Sequence, residues 1–194
     1  MPKNQIADLP YNFDQLNDVE KGRIIDELMN QHSRKVYLLA YSYVKDQGLA
    51  EDIAQEVFIK CYKSLRHFRG DAQITSWIYR ITVNTAKDFL RSRSFNILKY
   101  PKIFFENITK SESPEDVVIQ QDQREGVLQT VLGLSTKYRE VIILYYFQDE
   151  KMEDIAEILN MNLNTVKTRL SRARSMLKGK ITSFTGDELI EKRS

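Results

Sequence analysis

Between positions 162 and 180 the stretch NLNTVKTRLSRARSMLKGK carries six basic side chains and no acidic one, in a chain whose formal charge is only +2. Val166, Leu170, Ala173 and Leu177 recur at i, i+4, i+7 and i+11, the stripe by which a helix seats on a core. The opposite face holds Asn164, Thr165, Thr168, Ser171, Arg172 and Ser175, flanked by Lys167, Arg169 and Arg174. Short polar side chains with arginine suit base edges in a major groove, and flanking bases suit phosphates. A carboxylate among them would repel the phosphate backbone. An ordinary solvated helix mixes signs to form i,i+4 pairs; this one has nothing to pair with. Its chemistry is that of binding a polyanion.

No second chemistry competes with it. Cys61 is the lone cysteine, and with His32 and His67 it lacks metal-ligand spacing. No cluster of acids or histidines suits proton transfer, so neither catalytic residue, metal nor cofactor is expected. No apolar run approaches the ~18 residues that would span a bilayer, and the N-terminus lacks the pattern of a secretion leader. A soluble intracellular protein is the expectation.

The binding helix needs a partner to position it, and EDIAEILN supplies one. Ile155, Ala156, Ile158 and Leu159 make an apolar face, with small Ala156 permitting close approach. Asn160 follows, and after glycine asparagine is the residue best suited to a left-handed cap. Asn162 or Asn164 then caps the next helix. The pair reads as a helix-turn-helix.

Charge along the rest of the chain falls in blocks: net −3 over 1–33, +7 over 34–110, −7 over 111–160, +6 over 161–182 and −1 in the tail. Two basic blocks parted by an acidic one suggest two contacts with the same polyanion. Helical periodicity dominates and no strand is evident. Helices are predicted near 20–44, 50–66, 75–92, 115–132, 136–148, 151–159 and 164–180. Between 95 and 114 the periodicity fails and ends in a Ser/Pro/acid cluster, the composition of a linker. The expected fold is all-α: two small helical domains joined by a flexible linker, the second a helix-turn-helix.

In SWIYRITVNTAKDFLRSRS a second, mostly basic stripe appears: Arg80, Asn84, Lys87, Asp88 and Arg91 at i, +4, +7, +8 and +11. An exposed Asn among basic residues suits a base edge between phosphates, although a solvated helix face would look similar. Trp77, by composition alone, reads more readily as core than as ligand. Upstream, AEDIAQEVFIKCYKSLRHF sets Asp52, Gln55, Glu56 and Ile59 on one face. Asp52 and Glu56 repel at i,i+4 by ~0.2–0.5 kcal/mol; acid placement near a helix N-terminus would explain them without any partner.

These stretches, in order, together with LSTKYREVIILYYFQDEKMEDIAEILNMNLNTVKTRLSRARSMLK, resemble regions two and four of the extracytoplasmic-function sigma factors, a branch of the sigma-70 family. The resemblance spans roughly residues 20–182. It implies a domain of polymerase binding and −10 recognition over 20–94, a linker over 95–114 and a −35-reading domain over 115–182. Residues 1–19 form an N-terminal extension and 183–194 a tail.

The resemblance also implies partners and roles. Asp52, Gln55 and Glu56 would dock on the β and β′ subunits of core RNA polymerase. Trp77, Arg80, Asn84, Lys87 and Arg91, with the loop RGDAQIT, would open the −10 element and capture a flipped base. Asn164, Thr165, Lys167, Thr168, Ser171, Arg172 and Arg174 would read the −35 element of promoter DNA. The linker, with Phe95, Ile97, Leu98, Tyr100, Ile103, Phe104 and Phe105, would run through the polymerase cleft or pack on a domain. Members of this family answer to an anti-sigma factor, often membrane-anchored. One alternative is a helix-turn-helix transcription regulator with an N-terminal sensing domain, which would bind duplex DNA without polymerase. Another is a helical nucleic-acid enzyme, for which the required acids or histidines are missing.

Overall fold

The computed structural model describes residues 13–68, 73–99 and 122–181, and among these there is no strand. Helix α1 spans Asp18–Val44. Asn17 starts it with a reciprocal cap: its Oδ1 accepts from the Glu20 amide while Glu20 Oε2 accepts from the Asn17 amide, both at 2.9 Å. Lys45, at φ 56°, takes the left-handed conformation that ends it. One residue later Asp46 caps α2, Gln47–Ser64, by accepting from the Leu49 amide at 2.9 Å. A 3-10 turn at Leu65–His67 closes α2.

Helix α3 spans Ile74–Lys99, seven residues beyond the end that periodicity suggested. The backbone of 95–99, expected to be linker, is helical; the remainder of that stretch, residues 100–114, lies outside the described residues. So do residues 1–12, 69–72, the first part of the helix expected near 115–132 (residues 115–121), and 182–194. Within the N-terminal extension, Phe13 and Leu16 are buried.

The three helices enclose a core in which Leu28, Val36 and Leu39 of α1 meet Ile53 and Val57 of α2 and Ile78 and Val83 of α3. The second unit holds α4 (Asp122–Leu132), α5 (Thr136–Ile142), a π-helical turn at Ile143–Phe147, α6 (Met152–Leu159) and α7 (Leu163–Ile181). Val141, Ile143 and Leu144 are buried against Ile155, Val166 and Leu170. Buried Arg139 donates to the carbonyls of Leu132 and Leu134 at 2.7 and 3.2 Å, satisfying acceptors that the end of α4 leaves open.

The two units lie packed on each other, α1 and α3 facing α5, the π turn and α6, and their apolar residues form one continuous core. Polar groups stitch the seam. The Gln148 amide donates to the Lys35 carbonyl at 3.0 Å, and the Lys35 ammonium to the Gln148 carbonyl at 3.3 Å. Beside them Glu150 is 7% exposed. Burial, with the Asp154 charge adding to it and Lys35 opposing, pushes its carboxyl up to about 6.

A carboxyl raised in the folded state costs stability wherever it is ionised. The cost is absent below about 4.5, the ordinary value, grows through about 6 and is complete above. At pH 7.5 Glu150→Gln should therefore raise stability by up to about 2 kcal/mol, and by little at pH 4.5. Urea unfolding at the two pH values checks this.

Candidate nucleic-acid and polymerase interface

The helix-turn-helix is built by its turn. Asn160 adopts φ 50° and ψ 58°, the left-handed cap, and its amide donates to the carbonyls of Ala156 and Glu157. The Met161 amide returns to Ala156 at 2.9 Å, the two-bond closure of a helix C-terminus. Of the two candidate caps for α7, Asn162 serves: its Oδ1 accepts from the Asn164 amide at 2.8 Å. The inner stripe of α7, Val166, Leu170, Ala173 and Leu177, is buried.

The outer face divides into two groups. Asn164, Lys167, Thr168, Ser171 and Arg172 are exposed, with Thr165 half-buried beside them. Arg174 turns sideways onto an aromatic pair. Its Nε donates to the Tyr146 hydroxyl at 2.8 Å, and its guanidinium lies 5.4 and 5.6 Å from the rings of Tyr145 and Tyr146. Such a stack holds the side chain in one place. Arg169 is likewise engaged, 2.9 Å from Glu140.

On α3, Arg80, Asn84, Asp88 and Arg91 are exposed, and Arg91 pairs with Asp88. Lys87 behaves differently. It sits half-buried, 3.4 Å from Glu140 and over the Tyr43 ring at 5.8 Å. Trp77 is half-buried on Phe68, centroids 5.2 Å apart, and Phe68 in turn meets Phe13 edge-on at 5.3 Å. Core support and partial exposure coexist in that one side chain. Asn84 also borders a recess of about 370 Å³ lined by Lys60, Lys63, Ser64, Ile81 and Thr85. The Lys60 ammonium donates to the Thr85 hydroxyl at 3.2 Å.

Asp52, Gln55 and Glu56 stand exposed along α2. Beside them Ile59 is 47% exposed, an apolar side chain left in water among acids. Glu56 reaches Lys60 at 3.8 Å.

Sequence reasoning missed the recess-lining residues Lys60, Lys63 and Ser64, which become neighbours of Asn84 only when α2 packs on α3. It also missed Glu140, whose side chain is 5% exposed and which looked like one acid among eleven in an acidic block. No periodic signal marks a residue whose partners lie 29 and 97 positions away.

A tri-helical unit carrying a basic stripe, joined to a helix-turn-helix unit, defines a modular DNA-reading protein. Residues 28–95 match sigma-70 region 2 and residues 124–177 match sigma-70 region 4. The RNA polymerase sigma-H factor of Pseudomonas aeruginosa is 34% identical over 169 residues, covering 82% of this chain and 88% of its own. RNA polymerase sigma factor SigV of Bacillus subtilis is 39% identical over 155 residues, covering 79% and 89%. The ECF RNA polymerase sigma-E factor of Escherichia coli is 32% identical over 173 residues, covering 84% and 90%. The chain belongs to the extracytoplasmic-function sigma factors of the sigma-70 family. Its fold is similar to that of the sigma factor RpoE of Bartonella quintana, solved with the anti-sigma factor NepR (TM-score 0.69, 21% identity, 89% of this chain and 99% of that one). It is also similar to CnrH, solved with the cytosolic domain of CnrY (TM-score 0.61, 20% identity, 89% and 97%). The reading as a sigma factor prevails over that of a ligand-sensing regulator.

The left-handed turn at Asn160 disfavours most side chains. A β-branched side chain at Asn160 would bear the left-handed penalty of about 1–2 kcal/mol. Asn160→Val should lose about that much stability in urea unfolding, while Asn160→Gly should stay within about 0.5 kcal/mol of the parent. Equal stability of the two variants would contradict the turn geometry.

Proposed function

We propose that this chain performs the work of a sigma factor, directing core RNA polymerase to specific promoters and helping to open the −10 element, through three separate faces. The observation that carries the reading is the α2 face: Ile59 exposed beside Asp52, Gln55 and Glu56. A regulator that binds duplex DNA alone has no use for an acidic face with an apolar centre. A basic surface of the polymerase β and β′ subunits does, with Ile59 as the point that loses water on docking.

The second face is α3. Arg80, Lys87 and Arg91 supply charge to phosphates, Trp77 supplies a flat surface for an unstacked base, and the recess beside Asn84 receives one. A flipped, single-stranded base is the lower-cost target, since extraction from the duplex costs a few kcal/mol. The third face is α7, where Asn164, Thr165, Thr168, Ser171 and Arg172 meet base edges of the −35 element and Lys167 and Arg174 meet phosphates. Arg174, held by two tyrosines, fixes register more than sequence. The chain itself makes and breaks no covalent bond; the polymerase does. Its place of work is the cytoplasm, and an anti-sigma factor is the partner that would restrain it, as the anti-sigma complexes of structurally similar sigma factors suggest.

Charge contacts and base contacts should fail differently. Arg172→Ala should weaken promoter binding by ~1–3 kcal/mol and relax one −35 position. Lys167→Ala should weaken all sequences alike and flatten the salt dependence. Glu56→Lys should abolish capture of core polymerase, because like charges at an interface cost several kcal/mol, while folding changes by no more than about 0.5 kcal/mol. Polymerase pull-down beside thermal melting checks the last point; a folded Glu56→Lys protein that binds at parental strength would overturn the docking face.

A further inference from the structure

A ring that receives an unstacked base does so best when it already stands still. Trp77 lies in the first turn of α3, where its amide donates to the Gln73 carbonyl at 3.1 Å. Its side chain is half-buried, so part of the ring is held and the rest faces water. Among the described residues, the ring packed on it is Phe68, tilted at 46° with centroids 5.2 Å apart. Phe68 is itself only half-buried. Behind it stands Phe13, edge-on at 5.3 Å and 6% exposed.

Phe13 belongs to a 3-10 turn, Phe13–Gln15, ahead of the stretch 28–95 that matches sigma-70 region 2. The segment is tied on both sides. The reciprocal cap at Asn17 joins it to α1. Arg66, in the turn that closes α2, donates to the Leu16 carbonyl at 2.9 Å and lies 3.8 Å from Asp18. Leu16, like Phe13, is buried in the core. Covering that core would need the apolar side chains alone. Here a guanidinium also fixes the backbone that carries the ring behind Phe68.

We propose that the segment Phe13–Leu16 is a brace for Trp77: Phe13 sets Phe68, and Phe68 sets the plane of the indole that a flipped base meets. The physical reason is preorganisation. A loose indole must be immobilised when the base arrives, whereas a ring already held does not bear that cost at capture. Aromatic pairs prefer edge-on and offset arrangements, so this hold has a direction that an aliphatic side chain lacks. Phe13 touches no base and acts through Phe68, as a positioning residue. The consequence rests on the reading of Trp77 as the surface for an unstacked base; the geometry does not.

The test uses the chain's one tryptophan, so that emission from the free full-length chain reports Trp77 alone. Phe13→Leu keeps an apolar side chain at the buried position. Arg66→Ala removes the tie at a side chain 47% exposed, where folding tolerates change. Both should lower the fluorescence anisotropy of Trp77 and raise its quenching by acrylamide. With core polymerase, Phe13→Leu should slow opening of a duplex promoter roughly two- to ten-fold, the range of one aromatic pair, and affect a pre-melted template less. Capture of polymerase should stay parental. In a Trp77→Ala background, Phe13→Leu should add no further loss of opening, since the ring it positions is gone. Parental anisotropy and quenching in the folded variants overturn the brace. So does a loss of opening as large without Trp77 as with it, the signature of a merely structural role. Fluorescence of the free chain needs neither polymerase nor promoter, so its failure is distinct from failure of the sigma-factor reading.

Discussion

Positive charge gathered on neighbouring helices repels itself, and at the seam of the two units one buried carboxylate, Glu140, answers that repulsion. Glu140 takes a hydrogen bond from Tyr43 and the charges of Lys87 and Arg169. Its burial would be costly alone, by several kcal/mol; three donors make it tolerable. Because those donors come from α1, α3 and α7, satisfying one acid adds to the apolar core and the Lys35–Gln148 seam in setting how the two units meet. Other cations, Arg80, Lys167 and Arg172 among them, stay exposed.

The apolar sequence pattern already contained much of the fold. Val166, Leu170, Ala173 and Leu177 were legible as a core stripe because burial on a helix repeats with the helix. Asn160 and Asn162 were legible as turn and cap because left-handed backbone and orphan amides select few residue types. The exposed acids of α2 were legible for the same periodic reason. Other features depend on approach between distant segments and leave no local trace. Tyr43 meets Glu140 across 97 residues, and Arg174 finds Tyr146 across 28. The length of α3 was misjudged because its apolar repeat fades before Lys99.

Function divides along the same lines. The α2 face is acidic with an apolar centre, suited to a protein surface; the α3 and α7 faces are basic with short polar side chains, suited to nucleic acid. Seating both kinds on rigid helices lets each be tuned without unfolding its neighbour. The turn at Asn160 and the stack of Arg174 on Tyr145 and Tyr146 hold the recognition helix in place, and Phe68 supports Trp77 from below.

The central claim is that this chain gives RNA polymerase its choice of promoter. The most direct measurement is transcription in vitro on genomic DNA by purified core polymerase, with and without the chain, reading the 5′ ends of the products. The account predicts discrete start sites that appear only when the chain is present and that share paired −10 and −35 sequences upstream. The same starts with core alone, or no new starts from a chain that nonetheless binds duplex DNA, would contradict it.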